Sequence, residues 1–286
     1  MKGMAIVKFP DYSVLMSVYK KENEDHLRIA MDSIWNQTVR TNDFVLICDG
    51  PLTDGLNAVI SEMEQKHPEE LRVIRFEENR GLGPALREGV KECKNELIAR
   101  MDSDDISKPD RCEKELGVFM ERPDISIVSS ALEEFVETDE NGMPSAIIAV
   151  RDLPETPEEV LAFAKKRCPF NHPSVMYKRS AVLASGNYQE FYHMEDYLLW
   201  VKILQNGYKG YNLRESLLWM RAGSEMYKRR SGLGYAKSQY RMFQYMRKSG
   251  FISRSQRIKS TTLRVGAALA PNALRERAYK KVLRKN

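Results

Sequence analysis

Apolar positions in the first hundred residues alternate between two spacings. Ser13 to Ser17 is a short apolar run, after which Leu27, Ala30, Met31, Ile34 and Trp35 return at the three- and four-residue spacing of a helix face. This is a strand followed by a helix. Phe44 to Cys48 repeats the first pattern and ends in Asp49-Gly50-Pro51, and Leu56, Val59, Ile60 and Met63 repeat the second. Leu71 to Phe76 reads as a third strand. Beyond the turn at Asn79-Arg80-Gly81, the positions Ala85, Leu86, Gly89 and Val90 form another helix face, and Leu97 to Met101 is the fourth strand. Strands alternating with helices of this length predict an α/β fold with a mainly parallel sheet flanked by helices.

After Pro109 the pattern becomes mixed. A helix is expected around Arg111 to Glu121, a strand at Ile125 to Ser129, and a polar stretch through Asn141-Gly142. Asn171 to Tyr177 reads as a loop entering a strand. Glu195 and Asp196 open a helix with Leu199, Trp200, Ile203 and Leu204 on one face, and acids at a helix N-terminus suit its dipole. Gly232 and Gly234 mark the change into a basic, mostly helical tail. The division expected is one α/β domain over 1–225, with halves at about 1–110 and 111–225, then a helical extension over 226–286.

The chain has 286 residues, enough for one large domain or two small ones. Its longest apolar stretches fall far short of the roughly 18 residues a membrane span requires. A charge interrupts the N-terminal segment where a signal peptide needs an unbroken apolar run, so a cytosolic location is expected. The net charge of +5 hides an asymmetry: from Arg221 onward 18 Lys and Arg stand against two acids, Glu225 and Glu276, a net of +16 that leaves −11 on residues 1–220. Such a tail suits nucleic acid, an anionic membrane or a phosphorylated ligand, and charge alone does not choose. Cys48, Cys93, Cys112 and Cys168 form no CxxC pair, and the four histidines form no HExxH. Any metal would therefore be held by carboxylate oxygen, which favours Mg2+ or Mn2+.

In parallel sheets ligands bind beyond the carboxyl ends of the strands, which here are marked by Tyr19, Asp49, Asn79 and Asp102. No GxGxxG follows the first strand, so a dehydrogenase-like grip on a nucleotide is not expected. Asp102, Ser103, Asp104 and Asp105 put three acids within four residues. They repel one another unless a cation neutralises them, although a solvated turn capping the next helix would use the same residues. A cation bridging a diphosphate would also serve phosphoryl transfer. Asp196 stands beside Tyr197, Leu198, Leu199 and Trp200, where partial burial would fit it for a general base; an ordinary acid of the first helical turn is the other reading. His172 and His193 suit substrate contacts or structural hydrogen bonds.

Taken in order, Ser13–Tyr19, Ser33–Thr38, Asp49-Gly50, Asn79–Gly83, Met101–Asp105, Pro109–Arg111 and Glu195-Asp196 resemble the family 2 glycosyltransferases over about residues 12–222. The resemblance implies a GT-A fold, a Rossmann-like architecture that takes a sugar from a nucleotide diphosphate, usually UDP, and inverts the anomeric centre. It places Tyr19 and Asp49 at the nucleotide base and the turn from Asn79 to Gly81 against the nucleotide. Asp102 and Asp104 match the DxD motif, with Asp104 the direct metal ligand and Asp102 nearer the ribose and diphosphate. Asp196 matches the base, and Glu195 and His172 fall to the substrate. Arg229 and Arg230 match a basic loop that closes over the diphosphate, although a solvated basic turn fits them equally. Arg87 stands where a small polar residue is expected, and no histidine follows Asp196 where some members supply a metal ligand.

The implied partners are a nucleotide-sugar donor and a glycan or lipid-linked acceptor. Leu274, Ala278, Tyr279, Val282 and Leu283 share one face of a predicted helix among Arg275, Arg277, Lys280, Lys281, Arg284 and Lys285. That face suits either peripheral attachment to the inner leaflet of the plasma membrane or packing on its own domain. Two other function classes stay open. A sugar nucleotidyltransferase would show a glycine-rich basic loop after the first strand, which Tyr19 to Asn23 is not, and a non-catalytic protein would use the tail on nucleic acid or another protein. Nucleic acid is not expected, because stacking platforms usually lie on sheets.

Overall fold

The computed structural model describes residues 8–223 and 232–269. Each helix face named from spacing within the described residues is buried. Leu27, Ala30, Met31, Ile34 and Trp35 of α1 (Glu24–Trp35) and Leu56, Val59, Ile60 and Met63 of α2 (Asp54–Lys66) cover one side of the sheet. Ala85, Leu86 and Val90 of α3 (Leu82–Glu92) join the core on the other side. The side chains of β1 (Tyr12–Val18) divide between these cores: Val14 and Met16 face the first, and Leu15 faces the second. That division is the period-two alternation of a strand buried on both faces.

The strands β2 (Asp43–Cys48), β3 (Leu71–Arg75) and β4 (Leu97–Asp102) complete a parallel block in the order β3-β2-β1-β4. All four point the same way, so their carboxyl ends form one edge. At the opposite edge the buried Asp43 is fully engaged. Its carboxylate accepts from the Ser13 hydroxyl at 2.6 Å, from the Lys94 N–H at 2.8 Å and from the Arg72 guanidinium at 2.7 and 3.0 Å.

Beyond β4 the sheet becomes mixed. β8 (Met176–Lys178) runs antiparallel between β4 and β6 (Ile125–Phe135), and β7 (Ile147–Arg151) pairs antiparallel with the later part of β6. β9 (Lys209–Arg221) runs parallel to β6 and ends against the two-residue β5 (Ile106–Ser107). The helices here are α4 (Arg111–Glu121), α5 (Pro157–Ala164), α6 (Arg179–Ala184) and α7 (Glu195–Gln205). The strand expected to stop at Ser129 continues to Phe135. Its middle looked polar because Ser129 and Ser130 are buried through hydrogen bonds to Ser174 and Asn171, which side-chain spacing does not show.

Two further helices, α8 (Gly232–Lys248) and α9 (Arg254–Leu269), form a pair. Met242, Phe243 and Met246 of α8, with Ile252, share an apolar cluster with Met194, Tyr197, Leu198 and Val201 at the start of α7. The extension is thus packed on the helix that carries Asp196. The helix expected over Leu274 to Leu283 lies outside the described residues.

Gly89 shows how closely α3 lies on the sheet. A Cβ there would meet Leu15 Cδ1 at 2.2 Å and Ile47 Cγ1 at 3.2 Å. Alanine is the better helix former by about 1 kcal/mol, whereas overpacking a filled core costs about 1–3 kcal/mol. The steric term wins, so Gly89→Ala is expected to destabilise the fold by about 1–2 kcal/mol in a urea titration. An unchanged or raised midpoint would show that α3 has room to move away from the sheet.

Candidate active site

The carboxyl edge of the parallel block gathers the residues that follow its strands. Asp49, buried just past β2, turns its carboxylate to the loop after β3. One oxygen accepts the Arg80 N–H at 2.7 Å, and the other accepts the Gly81 N–H at 2.9 Å and the Asn79 amide at 2.9 Å. Gly50 lets the loop come this close. Its φ is +87°, and a Cβ there would lie 2.6 Å from the Asn79 nitrogen. Asp49, Asn79 and Gly81 are therefore one unit, whose edge Gly81 continues into the N-terminus of α3. Tyr19 is exposed at the end of β1, and the turn it opens is closed by a bond from the Glu22 N–H to its carbonyl.

The acidic turn follows β4. Carboxylate oxygens of Asp102, Asp104 and Asp105 all lie within 4.8 Å of one another. Asp102 is gripped by both terminal nitrogens of Arg100, which shares its side of the strand. Arg100 is itself buried, and its carbonyl receives a 2.8 Å bond from Arg111, a buried arginine paired with Glu115. Burial, reinforced by Asp102 and Glu22, pushes the Asp104 carboxyl up to about 7. Burial and then Asp104 also push the Asp105 carboxyl well above the usual carboxylate range. One of its oxygens accepts the Arg221 N–H at 2.8 Å, and the other is buried with no partner among the described residues.

Raised carboxyls crowded around a partnerless oxygen fit a divalent cation with hard oxygen ligands. The fit favours the cation reading of this turn over a cap for the next helix: α4 begins at Arg111, and its N-cap, Asp110, makes no side-chain capping bond.

Glu195 and Asp196 occupy the first turn of α7, half-buried. Burial and then Asp196 push the Glu195 carboxyl up to about 7, with Arg100 acting against the rise. The Cys168 thiol donates to Asp196 Oδ2 at 3.6 Å and to the Phe170 carbonyl at 3.5 Å. One turn along, the buried Trp200 anchors α7. Phe170 meets it edge-on at 5.6 Å, His172 at 5.9 Å and Tyr188 at 6.4 Å. His172 Nε2 lies 3.0 Å from the Tyr188 hydroxyl, and burial with the nearby Arg100 holds its pKa well below the usual imidazole range. His172 is a neutral member of this aromatic group. His193 adopts a left-handed backbone (φ 56°) just before α7.

Sequence spacing put Asp49, Asn79 and Asp102 after strands, Asp104 in the turn that follows, and Glu195 and Asp196 at a helix start, as found, but it did not show that Asp49 holds the Asn79 turn. It did not reveal four participants. Glu22 accepts the Ser103 hydroxyl at 2.8 Å and adds a carboxylate beside Asp104. Arg100, Cys168 and Arg221 are the others. Only Arg100 left a trace, since residues two apart in a strand share a face. Arg229 and Arg230 lie outside the described residues.

The model of the family described as "Glycosyl transferase family 2" matches residues 13–184. An uncharacterized glycosyltransferase of Haemophilus influenzae is 37% identical over 96% of this chain and 99% of its own. The UDP-Gal:alpha-D-GlcNAc-diphosphoundecaprenol beta-1,3-galactosyltransferase of Escherichia coli is 36% identical over 96% and 98%. Among solved structures, the mannosyltransferase PcManGT of Pyrobaculum calidifontis, in complex with GDP-Man and Mn2+, superposes with a TM-score of 0.60 at 15% identity, covering 99% of this chain and 84% of that one. The architecture is the GT-A fold. Since the family match spans β1 to α6 and with it the carboxyl edge of the parallel block, the chain belongs to glycosyl transferase family 2.

Proposed function

We propose that this glycosyltransferase moves a hexose or N-acetylhexosamine from a UDP-sugar to a hydroxyl of a glycan or lipid-linked acceptor in surface polysaccharide synthesis, with inversion at the anomeric carbon. The observation that carries the reading is the placing of two acidic groups around one buried cation: Arg100 grips Asp102 of the acidic turn, and its charge also acts on Glu195 beside Asp196. One group suits a donor diphosphate, and the other suits an acceptor hydroxyl. The full-length likeness to an E. coli enzyme named for UDP-Gal and a diphosphoundecaprenol acceptor supports the donor and acceptor classes.

In this reading Asp104 and Asp102 hold Mn2+ or Mg2+, with Asp105 adjoining. The bound ion supplies a Lewis acid that stabilises charge on the departing diphosphate. Tyr19, Asp49, Asn79 and Gly81 receive the nucleoside, and the Asp49 carboxylate fixes the turn that does so. Asp196 takes the proton of the acceptor hydroxyl as it attacks. Glu195, whose carboxyl burial and then Asp196 push up to about 7, orients the acceptor. A carboxylate base without a covalent nucleophile gives single displacement, hence inversion. His172 supports α7 from the aromatic group and completes the acceptor side, and Arg229 and Arg230 close over the diphosphate.

The catalytic unit spans 1–225, and residues 226–286 form an extension that docks at the inner face of the plasma membrane. No described helix is long and apolar enough to cross a bilayer. Residues 232–269 contain eight Lys and Arg and no acid. Ile258, Leu263 and Leu269 on α9 are exposed among them. Apolar side chains rising from an acid-free basic surface suit an anionic leaflet.

Two measurements test these statements. Thermal shift with UDP-, GDP- and dTDP-sugars should show one nucleotide sugar stabilising the wild type only with Mn2+, an effect that chelation and Asp104→Ala both remove. Asp196→Asn should keep that stabilisation while sugar transfer falls about 10²- to 10⁴-fold. No stabilisation by any donor under any metal condition would defeat the transferase mechanism. In flotation assays the full chain should rise with anionic vesicles, less so as salt increases, and not with neutral ones. Equal absence from both would remove the membrane role.

A further inference from the structure

Arg221 ends β9 at the acidic turn and is tied to it twice. Its N–H donates to Asp105 Oδ1 at 2.8 Å, and its side-chain Nε donates to the Asp104 carbonyl at 3.1 Å. The guanidinium carbon lies over the Phe135 ring, 4.6 Å from its centre, so the side chain rests on an aromatic face as well as being tied by these two bonds. The Nη2 end of that fork is buried and has no partner among the described residues. The two buried arginines nearby keep their terminal nitrogens occupied: Arg100 puts both on Asp102 and leaves only its inner Nε without a partner among the described residues, and Arg111 puts Nη2 on a carbonyl and Nη1 on the Met101 sulfur. Burying an N–H donor without a partner is costly, and carboxylates stand close by, so a fork immobilised with one end unused marks the place of a missing acceptor.

Resting on the reading of the acidic turn as the donor site, we propose that Arg221 is a diphosphate-binding residue, whose free guanidinium end takes an oxygen of the donor's diphosphate beside the acidic turn. The chemistry fits on three grounds. A cation at Asp102 and Asp104 would leave other diphosphate oxygens to be neutralised, and a guanidinium presents a planar pair of donors suited to them. Arg221 is anchored through its own main chain and Nε, so no side-chain freedom is lost when the ligand arrives. Its position is also set by a strand, β9.

The test is binding of UDP and of inorganic pyrophosphate, each with Mn2+, by calorimetry on the full chain, comparing wild type with Arg221→Lys and Arg221→Gln. Mn2+ affinity is measured alone by electron paramagnetic resonance. Both ligands are expected to bind at least tenfold more weakly to Arg221→Gln, with partial recovery in Arg221→Lys, while Mn2+ affinity changes less than threefold. Parallel loss of Mn2+ and ligand affinity would mean that Arg221 only shapes the turn, and would overturn the proposal. Unchanged binding of both ligands would overturn it too. If one variant unfolds, as judged by its melting curve, the other carries the comparison. A wild type that binds neither ligand with Mn2+ would remove the donor-site reading itself, an outcome distinct from failure of Arg221 alone.

Discussion

Three carboxylates within 4.8 Å of one another, in a turn largely shielded from water, are the constraint around which this structure is arranged. At an effective dielectric constant near 20, two unit charges at that distance repel by about 3 kcal/mol. The surroundings answer each acid differently. Arg100 neutralises Asp102 with a two-pronged grip, Asp105 is met by a main-chain N–H, and Asp104 keeps a proton more firmly because burial and its neighbours disfavour its charge. The arginines are in turn supported from beneath, Arg111 under the Arg100 carbonyl and Phe135 under the Arg221 guanidinium. An acidic site of this kind keeps its shape through cations and aromatic surface drawn from three strands and a helix.

The parallel half of the fold was legible because each of its elements follows one periodicity without interruption. Ala85, Leu86 and Val90, for example, are apolar at helical spacing and buried at helical spacing. The second half obeys the same physics with disguised signals. β9 carries Arg214 and Glu215 in its middle and shifts register near Ser216, which breaks the alternation by which a strand is recognised. β6 hides its continuation behind serines whose burial depends on Ser174 and Asn171, more than forty residues away.

The same distinction governs the site. Asp49, Asp102, Asp104 and Asp196 were legible because each stands at the end of an element, where a ligand can reach it. Glu22 and Arg221 stand at such ends too, but their importance comes from the partners they meet across 81 and 116 residues. No local pattern encodes such a meeting. Cys168 is similar: alone it is an unremarked thiol, and its interest lies in the carboxylate that folding sets against it.

The bond between Arg221 and Asp105 also has a meaning in time. At a synthesis rate of roughly 5–20 residues per second, the strand that supplies this donor emerges on the order of ten seconds after the acid that accepts it. During that interval the parallel block can form, since its four strands and their helices are already made, yet the acidic turn lacks its closing contact. The nascent chain can therefore acquire its layered frame first and its closed acidic turn last, and a chain ended before β9 would carry a sheet whose acidic turn lacks the Arg221 contact.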